Sequence, residues 1–335
     1  MSDRFGPSRR RLLLGAASAG AILLAAACSG PAADNSAQNT GGAAAPQQSS
    51  GELKVAVVTH GGSGDAFWSV VKNGAEAAGK QLGVSVTYSS DGDPGAQARL
   101  IDNAVAQKVG GLVVSMANPD ALKTAIENAV KAGIPVITIN SGSAKSKEFG
   151  ALAHVGQEES IAGEQAGAKL KAAGKTKLLC VIHEAGNIGL TQRCDGAKQG
   201  FGAVQTLQVD LNNAADAQSR IRGALQADSA IDAVLTLNPQ VAVFAADAAK
   251  AAGGKAQVAT FDLNADVAER IKSGDVLFAV DQQQYEQGYL PVVMLKLYND
   301  NANTVGGGSP VLTGPGFVDR SNVDKVADYA KRGTR

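Results

Sequence analysis

Short runs of apolar, β-branched residues recur along most of the chain, separated by Ala-rich stretches with helical spacing. The runs are Leu53–Val58, Val84–Tyr88, Gly111–Val114, Pro135–Ile139, Leu178–Ile182, Ala233–Leu237, Gln257–Phe261 and Leu277–Val280. The helical stretches are Phe67–Leu82, Gln97–Gln107, Asp120–Lys131, Glu158–Ala173, Gln218–Ala227 and Val241–Ala252. Alternating strands and helices predict parallel sheets in an α/β fold. The strands are almost continuously apolar, as a sheet covered on both faces requires. Gly83, Gly110, Gly133, Gly174 and Gly253 follow helices, where a left-handed cap favours Gly. The alternation breaks at Glu148–Gly156, which reads as a crossover, so several β-α units fall on each side of it. Two similar doubly wound lobes are expected, without a strict sequence repeat. From Pro310 the chain turns Gly/Pro-rich and then weakly helical, and is expected to cross back between the lobes.

The first residues follow a different pattern. Ser8-Arg9-Arg10-Arg11 precede an apolar, Gly/Ala-rich run from Leu12 to Ala27, and Cys28 follows directly. This is the layout of an export signal, here residues 1–27, and Ser8 with the Arg pair resembles a twin-arginine signal. The run is shorter than the roughly 20 apolar residues that span a bilayer comfortably. A Cys after Ala25-Ala26-Ala27 resembles the lipidation site of a bacterial lipoprotein, although Ala25 stands where such sites more often carry Leu. Ser29–Gly51 is rich in Ala, Gly, Ser, Gln, Pro and Asn, a composition that reads as a flexible linker. The chain is therefore expected to be exported and lipid-anchored at the extracytoplasmic face of the cell membrane. That excludes cytoplasmic enzymes and DNA-bound regulators.

The 335 residues suggest two domains, and the body from about Glu52 is long enough for two real cores. Lys and Arg number 31, as do Asp and Glu, so no basic surface for nucleic acid is indicated. With Cys28 assigned to a lipid, Cys180 and Cys194 remain as an even pair in an oxidising compartment. Cys180 lies in a strand-like run and Cys194 is read at the start of the next helix. A helix folding back on its strand would let them form a disulfide, the alternative being two reduced thiols.

In parallel α/β sheets, ligands bind beyond the carboxyl ends of the strands. Here those ends carry Thr59-His60, Asn140-Ser141, His183-Glu184, Asn238, Asp262 and Asp281-Gln282. Any one of these could simply cap a helix. Six polar strand ends converging from two lobes instead form a cleft dense in donors and acceptors, suited to a ligand rich in hydroxyls. The loop after the first strand adds Asp65, Phe67 and Trp68, the last being the only Trp in the chain. One of this aromatic pair is expected to fill the core and the other to face the cleft. Gly62–Phe67 lacks the third Gly of a dinucleotide loop, and there is no P-loop Lys. His60, His154 and His183 lack metal-site spacing, and no nucleophile–base motif is present.

These residues resemble the type I, ribose-binding-protein-like sugar-binding proteins, the extracytoplasmic receptors of ABC importers. The resemblance runs from about Leu53 to the C-terminus. It implies two α/β lobes joined by three crossings, one of residues 52–154 with 283–312 and the other of 155–282 with 313–335. It also implies ligand contacts from Asp65, Phe67, Trp68, Asn140, Ser141, Arg193 (with Gly196 three residues on), Asn238, Asp262 and Gln282 (with Gly288 six residues on). His60 and His183 join them from the strand-end reading. Two positions depart from the pattern. The uncharged Asn140-Ser141 stand where pentose-binding relatives carry Asp-Arg, and Gln218 falls where those relatives supply a second aromatic. A polyol, a small or linear sugar, or an inositol-like ligand fits these departures better than a standard aldopyranose. The resemblance further implies reversible binding without chemistry, delivery to a permease, no cofactor, no bound metal and a monomer. A signalling receptor, for instance for a quorum signal, and an enzyme on the same scaffold are the alternatives.

Overall fold

The computed structural model describes residues 52–62 and 64–335; the expected export signal, Cys28 and the expected linker lie outside the described residues. The chain runs β1 (Lys54–Thr59), α1 (Ala66–Leu82), β2 (Ser85–Ser90), α2 (Pro94–Ala106), β3 (Gly111–Ser115), α3 (Pro119–Lys131), β4 (Val136–Ile139), α4 (Ser143–Ser146) and β5 (Ala153–Gly156). It continues α5 (Glu159–Ala172), β6 (Leu178–Ile182), α6 (Ile188–Phe201), β7 (Val204–Gln208), α7 (Ala214–Ala227), β8 (Ala233–Thr236), α8 (Pro239–Ala251), β9 (Gln257–Phe261), α9 (Ala265–Ser273) and β10 (Val276–Asp281). Then come α10 (Gln284–Asn301), β11 (Val311–Leu312), β12 (Gly316–Asp319), a short 3-10 turn and α11 (Ala327–Lys331).

Two six-stranded sheets result, in the orders β11-β5-β4-β3-β1-β2 and β12-β10-β9-β8-β6-β7. All pairings are parallel except β10 with β12. The fold is thus two doubly wound α/β lobes. Each sheet is buried on both faces by separate apolar clusters, which is why its central strands are continuously apolar. Strand order reverses beside β1 in the first sheet and beside β6 in the second, and these are the switch points where ligands of such sheets sit.

The chain passes between the sheets three times: between β5 and α5, between β10 and α10, and between β11 and β12. The passages are bonded together. Thr313 N–H donates to Gly156 O at 2.7 Å, and Gln283 Nε2 donates to Thr313 O at 2.7 Å. Several sequence expectations change. Residues 148–156 are not a bare crossover, because 153–156 form β5, paired with β4 and β11. After α2 the residue at positive φ is Lys108, not Gly110. Cys194 lies in the middle of α6 rather than at its start, and is disulfide-bonded to Cys180 on β6 with Cα atoms 5.9 Å apart.

Two helix pairs approach unusually closely, and glycines permit it. A Cβ on Gly196 of α6 would lie 2.1 Å from Ser160 O of α5, and one on Gly163 of α5 would lie 2.1 Å from Arg193 O of α6. Gly74 of α1 and Gly288 of α10 play the same part in the first lobe, against Tyr285 O and Val71 O. Gly223 of α7, by contrast, has open space where its Cβ would go. Gly196→Ala should therefore lose about 1–3 kcal/mol by overpacking. Gly223→Ala should gain up to about 1 kcal/mol from helix propensity. Urea unfolding of the two variants checks this, and equal effects would contradict the close-packing account.

Candidate functional site

His60 leaves the end of β1 and is fixed by Ser115 at the end of the neighbouring strand. Its N–H donates to Ser115 Oγ at 3.0 Å, and Nδ1 lies 2.7 Å from the same oxygen. Asp65 caps α1 by accepting from Phe67 N–H at 2.8 Å, which places Phe67 and Trp68 in the first turn. Trp68 meets both His60 and Phe67 edge to face, with centroids 4.7 and 4.9 Å apart. Both aromatics are buried in the first-lobe core, and both also line the cleft. The expected division of labour between them is absent.

Asn140, after β4, holds a left-handed conformation at φ 63°. Its amide donates to Gln282 Oε1 at 3.2 Å and lies 3.4 Å from Gln287 Oε1. Ser141 Oγ contacts Asn140 Oδ1 at 2.9 Å and Asn187 Oδ1, from the second lobe, at 3.3 Å. Gln282 is held on both sides, since its Nε2 donates to Asp262 Oδ1 at 2.7 Å and its Oε1 also accepts from Gln287 Nε2 at 2.8 Å.

Arg193 is the charge centre of the second lobe and is 3% exposed. Its Nε and Nη2 donate to the two carboxylate oxygens of Glu159 at 2.5 and 3.0 Å, and its guanidinium lies over the Phe261 ring at 4.6 Å. Nη1 is 4.0 Å from Asp262 Oδ2. Burial alone would lower the Arg193 pKa, but the Glu159 carboxylate and then Asp262 raise it, so the charge is secure. Five guanidinium hydrogens minus the two given to Glu159 leave three for other partners. Asp262, at φ 69°, has its carboxyl pushed up to about 7 by burial, against the pull of Arg193 and the Gln282 amide. Burial likewise raises Asp65 to about 6.

Asn238 uses its side-chain oxygen to cap α8, accepting from Gln240 N–H at 2.8 Å, so its amide nitrogen is the group left for the cleft. His183 follows β6, and its Nδ1 is buried without a hydrogen-bond partner among the described residues. Burial, then Arg193 and His60, push its pKa down to about 3, and burial also lowers His60. Both imidazoles are neutral at ordinary pH.

All the expected site residues except Ser141 line one small chamber between the lobes, with about 30 Å³ of open space. Ser141 stands one hydrogen bond behind it. The chamber also takes Glu184, Asn187, Leu190 and Leu237. Gln218 does not take part; it is half-buried on α7 and lines neither this chamber nor the cavity outside it. From the second lobe, Leu190 and Leu237 line the chamber as apolar surface, where an aromatic was the family expectation. Glu159 and Asn187 were not singled out from sequence, because each opens a helix and reads as an ordinary first-turn or cap residue. Asn187 joins the lobes: its Oδ1 caps α6 at Gly189 N–H, and its Nδ2 donates to Glu184 Oε2 at 2.9 Å and lies 3.4 Å from His60 Nε2. Nearby, Ile188 N–H donates to Ala117 O of the first lobe at 3.0 Å.

Ser115, His60 and Glu184 line up superficially as a nucleophile, base and acid, with Glu184 Oε2 3.8 Å from His60 Nε2. Ser115 is fully buried and does not line the chamber, so its hydroxyl positions the imidazole. Among the described residues, no group of three or more His, Cys, Asp or Glu side chains is placed to hold a metal ion, and His154 lies apart on β5, bonded to Thr138. No helix among them is long and apolar enough to cross a membrane.

Two α/β lobes, joined by three passages and facing each other across a chamber of fixed hydrogen-bonding groups, have the architecture of a two-lobed solute-binding protein. The chain belongs to the periplasmic binding protein domain family, whose model matches residues 55–302. Membership places it among the sugar-binding components of ABC transporters. It is similar to a carbohydrate transporter protein of Acidothermus cellulolyticus 11B, solved in complex with myo-inositol. The two are 43% identical with a TM-score of 0.84, covering 85% of this chain and 100% of that one. It is also similar to the ribose import binding proteins of Haemophilus influenzae and Bacillus subtilis, each 27% identical. These matches cover 68% and 65% of this chain, and 79% and 72% of those proteins.

The raised pKa of Asp262 has a defined consequence for stability. Its folded value, about 7, exceeds its ordinary value of 3.8. The folded state then holds an extra proton between those values, and the resulting stability is present at low pH and lost as pH rises through about 7. Asp262→Asn keeps the shape of the protonated acid while Arg193, Glu159, Asp281 and Gln282 are unchanged. The stability of the native chain relative to this variant should fall between about pH 4 and 7 and level off above. A flat difference in urea unfolding across that range would contradict the buried-carboxyl assignment.

Proposed function

We propose that this chain reversibly binds a small polyol of the cyclitol class, with myo-inositol the first candidate, and delivers it to an ABC permease from a lipid anchor on Cys28. The observation that carries the ligand class is the 43% identity to the Acidothermus protein solved with myo-inositol. The chemistry of the chamber agrees. A cyclitol carries a ring of adjacent hydroxyls and no net charge. Arg193 has N–H groups to donate to two neighbouring hydroxyls. Asp262 Oδ2 accepts on the same side, since Oδ1 is already engaged by Gln282. Asn238 Nδ2 donates, and the neutral His60 and His183 rings can each donate or accept. Trp68 and Phe67 offer apolar surface to the C–H groups of the ring. Asn140 and Ser141 hold the hinge side with uncharged groups, where Asp-Arg would suit a pentose.

The moving bodies are residues 52–154 with 283–312, and 155–282 with 313–335. A ligand that touches both stabilises the closed arrangement by its differential contacts and so shifts the population toward it. The permease then meets closed, loaded lobes. The ligand-bound protein acts as a monomer, without a cofactor and without altering the ligand.

Isothermal calorimetry against myo-inositol, ribose, galactose and linear polyols tests the ligand class. Myo-inositol should bind most tightly, and Arg193→Ala and Trp68→Ala should each weaken it by about 2 kcal/mol or more. Full affinity in both variants would overturn the site. Separately, Cys28→Ser should move the protein from the membrane fraction to the soluble extracytoplasmic fraction with unchanged affinity. Continued membrane retention would overturn the lipid anchor and leave the binding function standing.

A further inference from the structure

Beside the chamber lies a larger cavity that a cyclitol alone does not fill. This outer cavity holds about 520 Å³ and shares His60, Asp65, Trp68, His183 and Glu184 with the chamber, so the two spaces adjoin. Its volume falls within the roughly 300–1,000 Å³ of small-molecule sites. A single six-membered ring seated on Arg193 and Asp262 would leave most of it empty.

We propose that the ligand is a glycosylated cyclitol, its cyclitol ring held by the groups of the inner chamber and reaching into the outer cavity, with an uncharged sugar ring farther out in that cavity; this rests on the cyclitol reading above. The walls of the outer cavity carry the groups that select such a substituent. Gln208, Asp210, Asn212 and Arg220 offer both donors and acceptors from the second lobe, and Val209 and Leu211 add apolar surface between them. Asp65, Glu184 and Asp210 supply three carboxylates against the one guanidinium of Arg220. That guanidinium already has Asp216 Oδ2 4.0 Å away. An anionic substituent such as a phosphate meets net repulsion there, whereas hydroxyls find acceptors on every side.

His183 marks the junction between the two spaces. His183 lines both, and its Nδ1 is buried with no hydrogen-bond partner among the described residues. A buried ring nitrogen left unpaired costs free energy. A ligand spanning chamber and cavity passes this imidazole.

The experiment is calorimetry of the full-length mature protein with myo-inositol, 1-O-α-D-galactopyranosyl-myo-inositol and myo-inositol 1-phosphate. The same titrations are run on Asn212→Trp and Arg220→Trp, whose exposed side chains border the outer cavity without touching the chamber. The galactoside should bind the native protein at least about tenfold more tightly than myo-inositol, and the phosphate more weakly than either. Each Trp variant should lose about tenfold or more for the galactoside while keeping myo-inositol affinity within about twofold, which also shows that the variant is folded. Galactoside binding no tighter than myo-inositol, or equal loss for both ligands in the variants, overturns the glycoside inference and leaves the cyclitol reading intact. Binding of none of the three overturns both.

Discussion

A positive charge buried between the lobes is the constraint on which the rest of this structure turns. Arg193 is almost wholly removed from water, and such a charge persists only when it is paired and hydrogen-bonded. Glu159 does this with both carboxylate oxygens. The two residues stand on α5 and α6, which lie closer than ordinary side chains allow, and Gly163 and Gly196 supply the gap. The Cys180–Cys194 bond ties the same helix to β6, one residue beyond Arg193. Asp262 faces the guanidinium from the end of β9 in a left-handed conformation, and Gln282 steadies it from the passage between β10 and α10. The result is a guanidinium fixed along one edge, with its remaining hydrogens facing the chamber.

The passages between the lobes are part of the same network. Gln282 accepts from Asn140 of the first lobe and donates to Asp262 of the second, while Gln287 and Thr313 complete the set. The passages and the chamber therefore share hydrogen bonds. Asn187 closes the opposite side through Ser141, Glu184 and His60. Groups from both lobes and from the passages between them complete the chamber together.

Much of this was legible in the sequence. The central strands are buried on both faces, so their apolar runs stand out, and polar residues at their ends mark the cleft. Legibility fails where tertiary context decides. The edge strand β7 is largely exposed and reads Val-Gln-Thr-Leu-Gln, without a clear apolar run. The strands β5 and β11 have four and two residues, too few for periodicity to register. Glu159 and Asn187 carry the first-turn chemistry of any helix, and only the packing of α5 on α6 and of one lobe on the other gives them a second role. Gln218 was misplaced because position along the chain does not say which face of α7 meets the cleft. The family resemblance located Arg193, Asp262 and Gln282; their carboxylate and amide partners came from the structure.

The most direct measurement uses the single Trp of the chain. Trp68 forms part of the chamber wall and lies against His60, so its fluorescence reports on the space where the ligand is proposed to bind. Titration of the protein with myo-inositol should give a saturable change in Trp68 emission with one binding site, abolished in Arg193→Ala. Unchanged emission at saturating myo-inositol, in protein shown by circular dichroism to be folded, would contradict the account.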